Sequence, residues 1–311
     1  MSLAQSKQQK KKKQLRLVHF YPDLLNLYGD YGNILAIQRR AEWRGIEVSI
    51  TNIDLNTDTN LDIKQFDIAF MGGGQDRQQV RVADDFLARK EKITEAVDDG
   101  LVILAICGGY QLLGKSYESS EAEQIPGLGI LNVETRAQTR KSKEKQQRLI
   151  GNLSAKLLKP LKIQEYLQAS LDQDTYKNSI YSCETLVGFE NHSGETYILC
   201  DSYTENQNKE LPTNKDNSSK ISENSFEQIQ ALAEVLQGKG NNLEDKQEGV
   251  LYKNIFGTYL HGSLLPKNPH LVDELIFRAL DRRNVQLSPE EWLSIDDRLE
   301  TQAHRKALSL R

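Results

Sequence analysis

The chain has 311 residues, of which 38% are hydrophobic and 27% are charged. This length allows one large domain or two modest ones, and it excludes a small domain that depends on disulfides. The composition is polar but does not match wholesale disorder. The chain carries 44 acidic and 40 basic residues, and this balance gives no support to a dedicated nucleic-acid-binding protein.

Residues 1–14 contain four consecutive lysines and no apolar periodicity, so we predict a disordered basic tail followed by a single domain over residues 15–311. No apolar run approaches the roughly 18 residues that a membrane span needs, and no signal-peptide region follows the lysines. We expect a cytoplasmic protein that can work near the inner face of the plasma membrane. Its cysteines, Cys107, Cys183 and Cys200, lack the spacing of a disulfide framework or a zinc site, and we expect no metal.

Strands and helices alternate in the first third of the domain. Strands are predicted at residues 15–21, 46–51, 66–71 and 101–106, and helices at 33–44 and 80–99. The continuous apolar run at 101–106 is typical of a strand buried on both faces of a parallel sheet. This order predicts an α/β fold with a mostly parallel central sheet and an active site at the carboxyl ends of its strands.

The second half is less regular. Short strands are predicted at 129–135, 149–153, 186–190, 196–199 and 249–256, and helices at 269–282 and 289–307. Two polar stretches, 155–184 and 201–237, are predicted to be surface insertions because long loops without structure are rare in compact domains. A spacing of three and four predicts one amphipathic helix at the end of the second stretch, formed by Phe226, Ile229, Leu232, Ala233 and Leu236.

The most informative local feature is Cys107, which follows a predicted buried strand and precedes Gly108 and Gly109. A strand that enters a helix through a tight glycine turn forms a nucleophile elbow. The positive end of the helix dipole favours the thiolate at this position. A structural cysteine is the alternative, because a free thiol packs like a small hydrophobic group.

A nucleophilic cysteine needs a base, and five histidines are present. His261 is the first choice because it ends an apolar strand and is followed at once by a glycine. His192 lies in a turn between two predicted strands and is the second choice. His19 lies inside the first strand, where core packing is expected, while His270 and His304 are expected at surface or interhelix positions.

Three glycines, residues 72–74, end another buried strand upstream of the cysteine. Backbone N–H groups of such a turn can face a site without obstruction from a Cβ atom. We predict an oxyanion hole from Gly73 and Gly108, since N–H donors of this kind stabilise the anion of acyl transfer. Taken alone, a glycine triplet also fits an ordinary tight turn.

Five sequence blocks together resemble the class I glutamine amidotransferases, in particular the cobyric-acid-synthase-like group and, within it, the GatD subunits of lipid II isoglutaminyl synthase. The blocks are LYGDYGN at 27–33, GGGQDR at 72–77, ICGGYQ at 106–111, GFENH at 188–192 and GTYLHGSLLPKN at 257–268. The resemblance implies a three-layer sandwich with a mostly parallel central sheet.

The resemblance also implies a function. GatD-type subunits hydrolyse L-glutamine and pass ammonia to a MurT-like Mur ligase in a heterodimer, which converts the D-glutamate of lipid II to D-isoglutamine. By this resemblance Cys107 is the nucleophile that forms a thioester, His261 is the general acid and base, and Arg148 binds the substrate carboxylate. No cofactor is implied for this chain, because ATP and magnesium belong to the ligase partner.

Two residues depart from the wider pattern. Ser263 stands where many class I amidotransferases have a glutamate that orients the histidine, and Ala105 stands where the wider group has glycine. The orienting carboxylate is expected either from this chain, with Asp30 and Glu190 as candidates, or from the ligase partner.

Two other functions remain open from the sequence. The chain would also suit the glutaminase part of a cobalamin-pathway amidotransferase, although nothing resembling a P-loop precedes the glutaminase region. A catalytically silent scaffold of a ligase is the non-enzymatic alternative. The presence of both Cys107 and His261 argues against it.

Overall fold

The computed structural model describes residues 13–118, 124–137, 148–199 and 228–310. Its strands are β1 (Gln14–Phe20), β2 (Glu47–Ile53), β3 (Ile68–Met71), β4 (Val102–Ile106), β5 (Ser116–Glu118), β6 (Gln124–Pro126), β7 (Val133–Ala137), β8 (Leu149–Leu157), β9 (Thr185–His192), β10 (Gly194–Ile198), β11 (Ala233–Gln237), β12 (Gln247–Glu248), β13 (Val250–Tyr252) and β14 (Ile255–Thr258). Its helices are α1 (Tyr31–Trp43), α2 (Asp76–Ala88), α3 (Lys90–Asp98), α4 (Gly108–Leu113), α5 (Lys162–Ser170), α6 (Gln173–Asn178), α7 (Pro269–Arg282), α8 (Pro289–Trp292) and α9 (Arg298–Ser309).

The main sheet has six strands in the order β13-β14-β4-β3-β1-β2. All neighbours are parallel except the hairpin pair β13 and β14. Every residue of β3, β4 and β14 is buried, as expected for strands covered on both faces. Helices lie on both sides of the sheet, which confirms the predicted α/β fold with its mostly parallel central sheet.

Two smaller four-stranded sheets complete the described part of the chain. Their orders are β10-β7-β5-β6 and β12-β11-β8-β9. In the second sheet β8 and β9 pair antiparallel, so that Leu149 lies opposite His192 and Ile150 opposite Asn191. This register brings the start of β8 and the end of β9, two regions distant in sequence, side by side.

The segment 155–184 is part of the folded body, so its prediction as a surface insertion is corrected. Its side chains Ile163, Leu167 and Tyr181 are fully buried in the hydrophobic core. The Tyr181 hydroxyl donates to Asp273 Oδ2 at 2.6 Å. Ile163 and Leu167 lie one turn apart on α5, and α5 packs against α7.

A buried ion cluster joins α1 to α7 in the same region. Arg40 and Arg44 of α1 both contact Asp273 of α7, with closest N–O distances of 2.6 and 2.8 Å. Removing one partner of such a buried cluster leaves an uncompensated charge and typically costs about 3–5 kcal/mol. The cluster therefore fixes α7, which follows strand β14 in the chain, against the first helix.

The helix predicted around residues 226–236 is wrong over its described part. Residues Ala233–Gln237 form strand β11, which pairs antiparallel with β8. Their apolar spacing fits a short strand or helix equally well, and pairing with a neighbour decided the outcome. Phe226, Cys200 and most of the second predicted insertion lie outside the described residues, as do residues 1–12 of the predicted tail.

Two long predicted helices are each divided in the structure. The helix predicted at 80–99 consists of α2 and α3, separated at Arg89, whose buried side chain donates to the carbonyls of Thr57 and Asp58. The helix predicted at 289–307 consists of α8 and α9. In the first case a tertiary contact of the arginine accompanies the break, and local propensity did not reveal it.

Candidate active site

Cys107 lies at the junction of β4 and α4, at the carboxyl edge of the main sheet. Its backbone has φ +50° and ψ −104°, a conformation that non-glycine residues rarely adopt. Its N–H donates to the Thr258 carbonyl at 2.8 Å, and the residue is 8% exposed. Gly109 is required beside it, because a Cβ there would lie 2.7–2.9 Å from atoms of Met71. The predicted elbow conformation is therefore present.

His261 follows β14, the neighbour of the cysteine-bearing strand. Its N–H donates to the Phe189 carbonyl at 2.7 Å, and its side chain is fully buried. Burial opposes the charged imidazolium, but the charge of Cys107 and the neighbouring Asp30 together raise the pKa of His261 to about 10. The surroundings of His261 therefore favour the protonated imidazolium, because the two neighbouring groups outweigh the effect of burial.

Asp30 is the carboxylate that the structure brings to this histidine. Its Oδ1 lies 3.5 Å from His261 Nδ1, and both side chains are fully buried. Its Oδ2 accepts a hydrogen bond from the Gly73 N–H at 2.8 Å. One carboxylate therefore faces the imidazole with one oxygen and fixes the glycine turn with the other.

Glu190, the other predicted orienting carboxylate, faces a different part of the molecule. It accepts hydrogen bonds from the backbone N–H groups of Lys239 and Gly240 at 2.8 and 2.9 Å. Its Oε2 lies 3.8 Å from His192 Nε2. The structure therefore pairs Glu190 with the second-choice histidine and not with His261.

The predicted oxyanion donors differ in their surroundings. The Gly73 N–H already donates to Asp30, so this geometry gives no support to the prediction that Gly73 is an oxyanion donor. A Cβ built on Gly108 would lie 3.0 Å from the backbone nitrogen of Gly74. The turn therefore brings the amide of Gly74, which the sequence prediction did not select, next to the residue after Cys107.

A cavity of about 310 Å³ opens in front of the cysteine. Its lining residues are Leu27, Tyr28, Gly74, Gln75, Asp76, Arg77, Gln79, Cys107, Gln111, Tyr117, Arg148, Asn191, His192 and Ser193. The lining is mostly polar, and most of it comes from the carboxyl edge of the main sheet, from the starts of α2 and α4, and from the end of β9. This volume and polarity suit a small zwitterionic substrate.

Arg148 lies on the rim of this cavity and is held by a neighbouring amide. Its Nε donates to Asn191 Oδ1 at 2.8 Å, and one of its terminal nitrogens donates to the Asn191 carbonyl at 3.1 Å. Asn191 in turn donates to the Tyr28 hydroxyl at 2.6 Å. The Tyr28 ring stands almost perpendicular to the His261 ring, with centroids 5.1 Å apart. A chain of contacts thus runs across the cavity mouth from the arginine to the histidine.

Two glutamines that the sequence prediction missed line the floor. Gln79 Nε2 donates to the Gly74 carbonyl at 3.2 Å and to Gln111 Oε1 at 3.1 Å. Gln111 also donates to the Tyr259 hydroxyl at 3.1 Å. Gln111 lies four residues after Cys107, one turn along α4, and this spacing was the available signal.

The remaining histidines occupy defined positions. His192 lines the cavity, and its Nδ1 donates to the Gly194 carbonyl at 2.8 Å. Its ring stacks on the Tyr259 ring, with centroids 3.7 Å apart. His19 is buried as predicted, and burial lowers its pKa to about 4. His270 and His304 are buried between elements and are not at the surface.

Over the residues that the structure describes, no group of three histidine, cysteine or acidic side chains is arranged to hold a metal ion. Within the same residues, no helix combines the length and apolar character that crossing a membrane requires.

Comparison with known proteins gives consistent matches. Residues 16–269 match the family model of the CobB/CobQ-like glutamine amidotransferase domain. The GatD subunit of the glutamine-hydrolysing lipid II isoglutaminyl synthase of Staphylococcus aureus is 35% identical, over 93% of each chain. The corresponding subunit of Streptococcus pneumoniae is 36% identical, over 87% of this chain and 82% of the relative. A cobyric acid synthase of Listeria innocua is 24% identical over 71% of this chain, but this covers 33% of that relative.

The matched range contains the elbow, the glycine turn and the strand-end histidine described above. The two subunit relatives match nearly the whole chain, whereas the cobyric acid synthase is about three times longer than the matched part. The chain therefore belongs to the CobB/CobQ-like glutamine amidotransferases, and within them to the family of the GatD subunits of lipid II isoglutaminyl synthase.

Proposed function

We propose that this chain is a glutaminase that hydrolyses L-glutamine and supplies ammonia for the amidation of lipid II. The observation that carries the proposal is the buried arrangement of Cys107, His261 and Asp30 at one edge of the sheet, with 3.5 Å between the imidazole and the carboxylate. Nucleophile, base and an orienting third group are the parts that covalent acyl transfer needs.

In this mechanism the Cys107 thiolate attacks the carboxamide carbon of glutamine and forms a tetrahedral intermediate. The His261 imidazolium donates its proton to the departing nitrogen, so that ammonia leaves and a thioester remains. Neutral His261 then takes a proton from water, and the resulting hydroxide attacks the thioester. Glutamate leaves, and the thiolate and the imidazolium are regenerated together.

The negative oxygen of the tetrahedral intermediate needs N–H donors. We propose the amides of Gly108 and Gly74, because the Gly108 Cα region lies against the Gly74 nitrogen and the Gly73 N–H is occupied by Asp30. Each such donor is worth about 2.7–4 kcal/mol of transition-state stabilisation.

Substrate binding is assigned to the rim of the cavity. The Arg148 guanidinium, held by Asn191, would pair with the α-carboxylate of glutamine. The cavity of about 310 Å³ reaches from this arginine to Cys107, and both residues line it.

We propose that a MurT-like Mur ligase is the partner subunit and that it converts the D-glutamate of lipid II to D-isoglutamine. The support is the family, whose relatives are named as subunits of a lipid II-amidating synthase. ATP and magnesium chemistry is assigned to the partner, and no cofactor is assigned to this chain. Lipid II as the final substrate favours a cytoplasmic location near the inner face of the plasma membrane.

The test is ammonia release from L-glutamine, measured with and without the co-expressed partner. Cys107→Ala should abolish it, while Cys183→Ala, a matched change at the other described cysteine, should leave it within about twofold. Amidated lipid II should appear only when ATP and the partner are also present. Equal turnover by wild type and Cys107→Ala in the complex would refute the glutaminase and leave a scaffold.

A further inference from the structure

The charged groups that line the cavity are unevenly distributed. Among its described lining residues are two guanidinium groups, Arg77 and Arg148, and a single carboxylate, Asp76. An α-amino acid brings one negative and one positive group into the site. The α-carboxylate has an assigned partner in Arg148, and the α-ammonium needs an anionic or strongly accepting group of its own.

Asp76 is held rigidly in this lining. It is the first residue of α2, two residues after the last glycine of the turn beside Cys107. Its Oδ1 accepts a hydrogen bond from the Tyr117 hydroxyl at 2.5 Å. Burial and this hydrogen bond raise the pKa of Tyr117 well above its usual value, and the charge of Cys107 adds to the effect. Tyr117 therefore stays a donor toward a carboxylate and lies near both Asp76 and the nucleophile.

Two other carboxylates near the site do not line the cavity. Asp30 contacts Gly73 and His261, and Glu190 binds two backbone amides, and neither lines the cavity. Asp76 is therefore the described acidic group that a substrate in the cavity would meet.

Building on the proposed glutaminase function, we propose that Asp76 binds the α-ammonium group of glutamine and makes the enzyme selective for carboxamides that carry an α-amino group. Arg148 and Asp76 then hold the two charged ends of the amino acid, and the side-chain carboxamide extends to Cys107. A carboxamide acid without the amino group would lose one of the two contacts and leave Asp76 facing an apolar methylene.

The test compares two substrates on purified protein with its ligase partner: L-glutamine and glutaramate, which has the same carboxamide and terminal carboxylate but no α-amino group. The variant is Asp76→Asn, which removes the charge and can still accept the hydrogen bond from Tyr117. A hydrogen bond to a charged group typically changes binding by about 10- to 100-fold. We expect kcat/KM for glutamine to fall by about that factor, mainly through KM, and kcat/KM for glutaramate to change by less than about threefold.

Asp84→Asn is the matched control, because it removes the same charge from an exposed position on the same helix. It should leave the glutamine-to-glutaramate ratio unchanged. If Asp76→Asn lowers kcat/KM for both substrates by the same factor, the role of Asp76 is structural and the proposal is overturned. The glutaminase function is tested separately. If wild type hydrolyses glutamine and Cys107→Ala does not, the glutaminase function stands even when the proposal for Asp76 fails.

A second variant tests the proposal if the first one is unstable. If Asp76→Asn does not fold, Asp76→Glu retains the charge and the acceptor but displaces them by one methylene. We then expect KM for glutamine to rise by about three- to tenfold, which is the effect of a weakened polar contact. KM for glutaramate should not rise to match. Equal changes for the two substrates would overturn the proposal.

Discussion

Replacing Asp30 by asparagine tests the most specific geometric feature of the candidate site. The Asp30 Oδ2 atom accepts from the Gly73 N–H at 2.8 Å, and this position requires an acceptor. The amide oxygen of the asparagine must therefore take that position, and its NH₂ group must face His261 Nδ1. Because this NH₂ group donates to Nδ1, the neutral imidazole must carry its proton on Nε2. Nε2 is then unable to take a proton from water, so this tautomer is wrong for the base.

The expected loss follows from the distance. In a serine-protease triad the corresponding change lowers kcat by about 10⁴. Here the imidazole and the carboxylate are 3.5 Å apart, longer than a hydrogen bond, so the orienting contact is weaker. We expect kcat to fall by about 10²–10³, equivalent to about 3–4 kcal/mol of barrier, with KM changed by less than about threefold.

The assay is steady-state ammonia release over a range of pH, with and without the partner. Asp30 raises the pKa of His261, so the variant should also move the upper pH limit of activity downward. Asp23→Asn, an exposed aspartate in the same loop region, is the control and should behave as wild type. A kcat within tenfold of wild type would refute the role of Asp30 and direct attention to a carboxylate from the partner.

Three further predictions concern groups around the site. In Cys107→Ala the pKa of His261 should fall well below about 10, because burial lowers it and the cysteine charge is its largest raising influence; NMR titration measures this. Burial raises the pKa of Glu248 from 4.5 to about 7, so the folded state retains the proton and stability falls as pH rises through that window. Glu248→Gln should therefore gain up to about 3 kcal/mol relative to wild type between pH 4.5 and 8, measured by urea unfolding. Tyr28→Phe, which removes the hydroxyl bonded to Asn191, should lower kcat/KM by about fivefold in the ammonia assay.

Each of these has a contrary outcome. A His261 pKa that remains near 10 without the thiol would mean that the ion pair with the cysteine does not set its charge. A stability difference for Glu248→Gln that is constant with pH would mean that the buried carboxyl does not titrate in this window. If Tyr28→Phe has the kinetics of wild type, the hydrogen bond between Tyr28 and Asn191 has no role in the mechanism. The control is Tyr31→Phe, which removes the hydroxyl of an equally exposed tyrosine three residues later, at the start of α1.

The central sheet and the elbow at Cys107 were predictable because their signals are local in sequence. A continuous apolar run such as 101–106 is compatible with a strand covered on both faces, and a cysteine before two glycines follows it directly. The strand-end position of His261 is likewise a short-range pattern. The family resemblance supplied Arg148, which has no distinctive local environment in the sequence.

Other features were decided only by tertiary structure, because they depend on contacts between distant segments. Asp30 and Glu190 were equal candidates in sequence, and the packing of the loop before α1 against the glycine turn brought only Asp30 to His261. The same contact occupies the Gly73 N–H. The 233–237 segment became a strand because β8 offered it a free edge. A sequence specifies which groups are available, whereas the pairing of a buried polar group is decided by the neighbours that fold against it.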